Sequence, residues 1–172
     1  MTTDPAAARS PLVVIVDYDP LWPARYREQE LAIRSALGDR ARLVEHAGST
    51  SVPGLAAKPV IDIVLAVTDP VDEDAYVPDL EAIGYEFRFR EPHWWEHRLL
   101  RRTDPAVNLH VFAAGCEEIG RMLAFRDRLR TDPADRELYE RAKRELAKRD
   151  WAVVQDYADA KTDVVTDILT RA

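Results

Sequence analysis

The sequence predicts an α+β domain in which a mixed β-sheet occupies the first two-thirds of the chain and helices form the C-terminal third. Two strand patterns indicate the sheet: residues 60–67 are a β-branched run (VIDIVLAV), and residues 85–90 alternate aromatic and charged side chains (YEFRFR). From Glu117 onward the apolar residues follow a helical spacing. The length of 172 residues suits one domain over 1–172, with residues 1–11 as a flexible N-terminal tail.

The first predicted elements are a short buried strand at 12–17 and a helix that follows it. Asp19 and Pro20 are typical of a helix N-cap and of the first helical position, so the helix is expected to start there. It should run to Leu37 and end at Gly38, because glycine commonly terminates helices.

A strand–loop–strand unit is predicted next. A strand at 41–47 leads into the segment GSTSVPGLAAKP, which proline and glycine mark as a loop or a one-turn helix. The chain then returns as a central strand at 60–67, in which Asp62 interrupts the apolar run.

The remaining elements alternate between strand and helix patterns before the chain becomes helical. A helix is predicted at 72–83, closed by Gly84, and further strands are predicted at 85–90, 94–102 and 107–112. Asp132-Pro133 repeats the helix-start signal of Asp19-Pro20. A terminal helix is expected to bury one face formed by Val153, Tyr157, Val164 and Ile168.

Composition excludes several classes of protein. The net charge is −7, from 24 basic and 31 acidic residues, which argues against a general nucleic-acid-binding surface. The single cysteine, Cys116, excludes an intramolecular disulfide framework. No apolar run approaches the roughly 18–20 residues of a membrane span, so no membrane association and a cytoplasmic location are expected.

The segment from His46 to Asp62 carries the residues best suited to ligand chemistry. Gly48 allows a phosphate to approach the backbone closely, and free N–H groups at a helix start bind anions. The hydroxyls of Ser49, Thr50 and Ser51 add hydrogen-bond donors. Asp62 supplies a carboxylate for a divalent cation that bridges phosphates.

These residues resemble the signature of the GrpB family of small bacterial proteins. The central motif is HAGSTSVPGLAAKPVIDI, and the resemblance extends over about residues 13–170. It continues in YDPLWP at 18–23, in Gly84-Tyr85, in Leu109-His110-Val111-Phe112, and in Phe125-Arg126-Asp127, Leu129-Arg130, Tyr139, Lys143, Tyr157 and Lys161.

The resemblance implies a nucleotidyltransferase-like fold, in which a Gly-Ser pair is followed by an Asp-x-Asp pair that helps to hold two Mg²⁺ ions. This chain departs from that pattern. Asp62 is flanked at its same-face positions by Val60 and Val64, and His110 occupies the position of the third acid. Nucleotidyl transfer with two Mg²⁺ ions is therefore not expected.

His46, Asp62 and His110 are each placed on a predicted strand, and their side chains are expected to converge. Three interpretations stay open. The three residues could ligate a divalent metal, for which Zn²⁺, Mn²⁺ or Fe²⁺ suits imidazole and carboxylate better than Mg²⁺. His110 could be a general base oriented by Asp62. Alternatively, the histidines and the aspartate hydrogen-bond one another in a purely structural role.

Two further groups of residues are candidates for the cleft. Basic residues expected at its mouth are the natural partners of a phosphorylated or carboxylated ligand: Lys58, Arg98, Arg126, Arg130, Lys143 and Lys161. The segment His93–His97 (HWWEH) has two interpretations, a mobile aromatic lip over a pocket or an ordinary loop whose tryptophans pack on the sheet; the second is favoured.

The leading functional hypothesis is a nucleotidyltransferase-like domain that binds a nucleotide or another phosphate-bearing small molecule above Gly48-Ser49 and Asp62. A non-catalytic ligand-binding or regulatory module that retains the fold is the second hypothesis. The third is a metal-dependent hydrolase built on His46, Asp62 and His110.

Overall fold

One mixed sheet of five strands organises residues 13–172, the part of the chain that the computed structural model describes. The strands lie in the order β1-β2-β5-β4-β3; β2 and β5 are parallel and the other neighbours are antiparallel. The mixed sheet confirms the predicted α+β fold. The strands are β1 (Leu43–Ala47), β2 (Ile61–Val67), β3 (Glu86–Glu91), β4 (His97–Thr103) and β5 (Ala106–Ala113).

Helices cover the sheet and form the C-terminal third. They are α1 (Trp22–Leu37), α2 (Val77–Ala82), α3 (Glu117–Thr131), α4 (Pro133–Ala147), α5 (Val154–Asp159) and α6 (Thr162–Leu169). Single 3₁₀ turns occur at Gly38–Arg40, Ser49–Ser51 and Glu73–Ala75. Among the described residues, no helix combines the length and the apolar character needed to cross a bilayer.

The two faces of the sheet carry different cores. Ile63 and Leu109 point to the face covered by α1, where Trp22 and Ile33 are almost fully buried. Val64, Phe112 and other alternate residues point to the opposite face, against Ile119 of α3. Because side chains of a strand alternate between faces, residues two apart share a face, and this rule decides which polar residues meet.

The helix starts show where capping residues act. Asp132 accepts a hydrogen bond from the N–H of Asp135 at 2.9 Å, which confirms it as the N-cap of α4. The predicted start at Asp19-Pro20 is two residues too early, since α1 begins at Trp22. The Asp19 carboxylate instead accepts the N–H of Leu21 at 2.9 Å, and orders the turn that precedes the helix.

The predicted strand at 12–17 is wrong over its described residues, and the tail at 1–11 and residue 12 lie outside them. Val16 forms an isolated antiparallel bridge with Ala57, with hydrogen bonds of 2.9 and 3.0 Å. A longer ladder would use Pro59 on one side, which has no N–H to donate, and Leu55 on the other, whose N–H is donated to the Val52 carbonyl at 3.2 Å. The pairing therefore stays a single bridge that ties the chain to the 48–59 loop.

Two predicted elements are shorter than expected. The 72–83 helix is divided into a 3₁₀ turn and α2, because Pro78 cannot donate the N–H that would continue the helix across Tyr76. The 94–102 strand begins at His97, since Trp95 and Glu96 adopt positive φ angles of 55° and 54°.

The terminal helix is in fact the pair α5 and α6. Tyr157 of α5 and Ile168 of α6 are buried in separate apolar clusters, and no straight helix would satisfy both. Val153 is 52% exposed, so its assignment to the buried face is wrong.

Candidate functional site

The Gly-Ser turn and Asp62 meet at one edge of the sheet because of the strand directions. β1 runs toward this edge and ends at Ala47, which pairs with Asp62 at the start of the antiparallel β2. β5 starts at the same edge, parallel to β2, and places Asn108 beside Asp62. Residues from three strands thus converge there, as the position of the motif predicted. The predicted strands at 41–47, 60–67 and 107–112 accordingly belong to one sheet, in which Val44 pairs with Leu65 and Ile63 pairs with Leu109.

Gly48 makes the turn that follows β1. Its φ of 65° and ψ of −174° belong to a region that is essentially restricted to glycine. The Ser51 hydroxyl donates to the Gly48 carbonyl at 2.6 Å and closes the 3₁₀ turn. Ser51 therefore stabilises the turn from within, and it does not line the cleft described next.

A cleft of about 430 Å³ opens above this turn. It contains most of the predicted site residues, namely Gly48, Ser49, Thr50, Lys58, Asp62, His110, Lys143 and Lys161. It is also lined by residues that the sequence did not single out for it, among them Phe89, Arg101, Asn108, Tyr139, Gln155 and Tyr157. Asn108 could have been found, because it lies two residues before His110 on the same strand and shares its face.

Asp62 is held by its neighbours on β5. The Asn108 amide donates to Asp62 Oδ1 at 3.1 Å, and His110 Nε2 lies 3.5 Å from the same oxygen. Burial raises the pKa of the Asp62 carboxyl, but His110, Asn108 and Lys58 outweigh that effect and bring it below its usual value. Asp62 is therefore a carboxylate at neutral pH.

Three lysines supply most of the positive charge of the cleft. Burial, with a contribution from nearby Lys161, lowers the pKa of Lys143 to about 7, and its Nζ donates to the carbonyl of Ala56. Burial also lowers the pKa values of Lys58 and Lys161. Both ammonium groups lie over the ring of Tyr157, at 5.5 and 4.5 Å from its centroid, which fixes their positions.

Arg101 is a basic residue of the cleft that the sequence did not single out. It pairs with Asn108 across β4 and β5, and its Nε donates to Asn108 Oδ1 at 3.1 Å. The stretch RLLRR on β4 offers several arginines, and only the pairing with β5 shows which of them faces the cleft. Arg101 does, because Asn108 and Asp62 face it.

The prediction that His46 points toward Asp62 and His110 is wrong. His46 pairs with Ile63, so its side chain lies on the α1 face of the sheet, whereas Asp62 is one residue out of phase. Its ring stacks on Tyr26 at 4.6 Å, and its Nε2 is hydrogen-bonded to the Thr50 hydroxyl at 2.9 Å. Burial lowers the pKa of His46 to about 4, so the imidazole is neutral.

The predicted three-residue metal site is consequently not formed. Within residues 13–172, no group of three or more histidine, cysteine, aspartate or glutamate side chains is arranged to hold a metal ion. Asp62 and His110 alone are fewer ligands than the three or four that Zn²⁺ sites use. The donor set does not fit a resident Zn²⁺, Mn²⁺ or Mg²⁺ ion, and the metal-dependent hydrolase loses its basis.

Three of the predicted basic residues lie outside the cleft. Arg98 is 4% exposed and pairs with Val111, so it faces away from His110 and binds Glu73 at 2.7 Å. Arg126 and Arg130 of α3 hold the Gly-Ser segment from the other side. Arg126 donates to Glu45 at 2.7 Å and to the His46 carbonyl at 3.0 Å, and Arg130 donates twice to the Ser51 carbonyl.

A second cavity, of about 380 Å³, adjoins the cleft. The two cavities are neighbours, because they share the lining residues Gly48, Met122, Tyr139, Ala158 and Lys161. Its other walls combine the apolar residues Trp94, Phe125, Val165 and Leu169 with the polar residues Glu118, Arg121 and Thr162. Trp94 packs on Phe112 of the sheet with ring centroids 5.3 Å apart, as the favoured interpretation of the HWWEH segment predicted, whereas Trp95 is 49% exposed and does not follow that prediction.

Comparison with known proteins agrees with the motif and the fold. A family model described as GrpB protein matches residues 12–171. The chain is 54% identical over 160 residues to a UPF0157 protein of Halalkalibacterium halodurans, covering 93% of this chain and 82% of that protein. It is 32% identical to the crystal structure of the conserved protein GrpB from Enterococcus faecalis, with a TM-score of 0.78 and coverage of 92% and 98% of the two chains.

A more distant likeness concerns the fold alone. A cytoplasmic RNA terminal U-transferase aligns with a TM-score of 0.51 at 15% identity, over 78% of this chain and 40% of that one. This agrees with the nucleotidyltransferase-like arrangement of the sheet. On the family model and the high identity to a UPF0157 protein, the chain belongs to the GrpB family.

Proposed function

We propose that this chain binds a nucleotide, or another phosphate-bearing small molecule, in the cleft above Gly48 and Ser49. One observation carries the proposal. In a protein of net charge −7, the cleft sets a single aspartate, Asp62, against four basic side chains: Lys58, Arg101, Lys143 and Lys161. An anion is the ligand that relieves this concentration of positive charge.

The arrangement supports contact with phosphate oxygens in particular. Lys143 is nearly fully buried, so its charged form is poorly solvated until an anion approaches. Lysine ammonium groups bind phosphate as point charges. The hydroxyl of Ser49 lies in the same wall.

The adjoining cavity favours a nucleotide over a bare phosphate. Its apolar and aromatic walls, including Trp94 and Phe125, are the type of surface on which a nucleobase packs. Because Lys161 and Tyr139 line both cavities, a ligand with its phosphates at the lysines can extend its base into the second one. A cytoplasmic location, where nucleotides are available, is part of this proposal.

Thermal unfolding with and without ligand tests it. Inorganic pyrophosphate, AMP and the four ribonucleoside triphosphates are added, each with and without Mg²⁺, Mn²⁺ or Zn²⁺. A ligand present at 100 times its Kd stabilises the folded state by about 2.7 kcal/mol, which corresponds to a rise of about 5–10 °C in Tm for a chain of this size. We expect at least one triphosphate to exceed pyrophosphate.

Lys143→Met and Lys148→Met form the matched pair of variants. Both change a lysine of α4 or its C-terminal end, but Lys148 is exposed and forms an ion pair with Glu145 at 2.5 Å. The stabilisation should be lost in Lys143→Met and retained in Lys148→Met. Equal stabilisation of the two variants, or none by any of these ligands at millimolar concentration, would refute binding in the cleft.

A non-catalytic ligand-binding or regulatory module is the second candidate, favoured by a specific observation. Two-metal nucleotidyl transfer uses several carboxylates, whereas Val64 and His110 stand beside Asp62 here. Such a module would bind the nucleotide without turning it over. Recovery of intact nucleotide after prolonged incubation with the protein supports the module, and its conversion supports an enzyme.

A further inference from the structure

A series of polar contacts connects the protein surface to the cleft across four strands. Glu91 of β3 pairs with His97 at the start of β4, and its Oε2 lies 2.7 Å from His97 Nδ1. His97 Nε2 lies 3.0 Å from His110 Nδ1 on β5. His110 Nε2 then faces Asp62 Oδ1 at 3.5 Å. Glu91 is half-exposed, His97 is 1% exposed and Asp62 lines the cleft.

When both imidazole rings are neutral, the order of donors and acceptors in this series of hydrogen bonds has one consistent solution. A carboxylate accepts hydrogen bonds but does not donate them, so His97 must carry its proton on Nδ1, toward Glu91. Burial lowers the pKa of His97 to about 3, so the ring is neutral and its Nε2 is an acceptor. His110 must therefore donate from Nδ1, and its Nε2 is the nitrogen left facing the cleft.

Packing holds the His97 ring in the orientation that this proton arrangement requires. Its ring lies against Trp94 and Phe112, with centroids 4.6 and 4.9 Å apart. A ring flip would place carbon atoms against Glu91 and His110 and leave both ring nitrogens of the buried His97 without partners, which is unfavourable. The orientation of His97 is therefore determined by its surroundings.

The contact between His110 and Asp62, where this series of polar contacts reaches the cleft, differs from the others. In the neutral His110 ring that donates from Nδ1, Nε2 carries no proton, so it and the Asp62 carboxylate are two acceptors that face each other. Only the doubly protonated ring donates to Asp62 and lowers the pKa of that carboxyl. The separation of 3.5 Å is longer than an ordinary hydrogen bond between such groups. Two neighbouring acceptors at the wall of a cleft are suited to a ligand group that brings its own proton.

We propose that Glu91 and His97 are positioning residues that hold the proton of His110 on Nδ1, so that His110 Nε2 and Asp62 together accept a hydrogen bond from a hydroxyl group of the bound ligand. The ligand part rests on the proposed function, since it takes the phosphate-bearing molecule to occupy the same cleft. The proton arrangement belongs to the free protein and is independent of any ligand.

Nitrogen NMR of histidine-labelled protein at pH 8 tests the proton arrangement. Long-range proton–nitrogen correlations distinguish a protonated from an unprotonated ring nitrogen, and a His110→Gln variant identifies the His110 signals. We expect His110 to be protonated on Nδ1 and bare on Nε2. A proton on Nε2 of His110 in the native protein, with or without one on Nδ1, would overturn the proposal.

The variant Glu91→Gln gives a stronger test because it permits the order of donors and acceptors to reverse. The glutamine amide can donate to His97 Nδ1, His97 then donates from Nε2, and His110 donates from Nε2 to Asp62. We expect the His110 proton to move to Nε2 in this variant. Glu86→Gln, at an exposed residue on the same strand, should leave the proton on Nδ1. A His110 proton that stays on Nδ1 in Glu91→Gln would contradict the proposal that Glu91 and His97 position it.

The ligand part is tested with ATP and its 2′,3′-dideoxy analogue in the thermal assay. ATP should stabilise the native protein more than the analogue, and Glu91→Gln should reduce that difference while Glu86→Gln preserves it. Equal effects of the two nucleotides on the native protein would refute the hydroxyl contact. If no nucleotide binds, the proposed function and the ligand contact fail together. The NMR result still decides whether Glu91 and His97 hold the His110 proton on Nδ1.

Discussion

The backbone of Gly48 lies directly against the side chain of Asp62. A Cβ placed on Gly48 would come within 2.9 Å of Asp62 Cβ, closer than side-chain carbons approach in proteins, and its contact with the Asp62 carboxylate would be closer still. Ala47 pairs with Asp62, so the turn after β1 folds back over the start of β2. The glycine of the Gly-Ser pair is thus required by the carboxylate that follows it fourteen positions later.

Gly48→Ala should therefore destabilise the protein by more than a change of backbone preference explains. A residue other than glycine in this region of backbone conformation is unfavourable by about 1–3 kcal/mol, and the contact with Asp62 adds to that. Gly54→Ala is the matched control, because Gly54 also has a positive φ, of 78°, but open space around it. Urea unfolding should show the larger loss for Gly48→Ala; equal losses would mean that the contact with Asp62 is unimportant.

Arg98 should prove to be a structural residue. It is 4% exposed and its guanidinium binds Glu73 at 2.7 Å and Glu96 at 3.1 Å. Arg98→Met leaves the partly buried Glu73 with fewer partners and should lower the free energy of unfolding by about 2–3 kcal/mol. Arg88→Met, at an exposed arginine of β3, should change it by less than about 0.5 kcal/mol.

The same Arg98→Met variant separates a structural from a ligand-binding role. At a temperature where it remains folded, its affinity for pyrophosphate should equal that of the native protein, because Arg98 faces away from the cleft. A tenfold or greater loss of affinity for pyrophosphate, measured by calorimetry, would show that Arg98 contributes to ligand binding.

Lys143 should make stability depend on pH above neutrality. Its pKa is about 7 in the folded protein, below the ordinary 10.5 of an unfolded chain, so between these values the unfolded state binds more protons. The free energy of unfolding should accordingly rise with pH in this window, with at most about 1.4 kcal/mol per pH unit from this one group.

Urea unfolding of native protein and Lys143→Met at pH 7, 8 and 9 measures that contribution. The rise should be smaller in Lys143→Met, and Lys148→Met should behave like the native protein because Lys148 is exposed. Parallel curves for all three proteins would show that Lys143 has an ordinary pKa.

Nucleotidyl transfer by two Mg²⁺ ions should be absent. A pair of hard cations needs bridging carboxylates, and the face that carries Asp62 presents Val64, Asn108 and His110 beside it. Incubation with each nucleoside triphosphate and Mg²⁺ or Mn²⁺ should release no pyrophosphate above the level of an Asp62→Asn variant. Mg²⁺-dependent release that Asp62→Asn abolishes would mean that this site holds metals after all.

The sequence by itself determined the local elements and the turn at the centre of the site. The β-branched run at 60–67 and the alternation at 85–90 correspond to β2 and β3, and Asp132 caps α4 as its residue type predicts. The position of Gly48-Ser49 between two strands was also readable, because glycine and serine have strong local preferences. These features depend on interactions between residues close together in the chain.

The tertiary structure alone decided which side chains share the cleft. A shift of one residue in register moves a side chain to the other face of a sheet, so pairing with Ile63 sends His46 away from Asp62. The same alternation selects Arg101 and excludes Arg98, although both are arginines of β4. The other walls come from helices that follow more than seventy residues after Asp62 and carry Tyr139, Lys143 and Tyr157. Register and helix docking are set by long-range packing, which the local residue pattern does not encode.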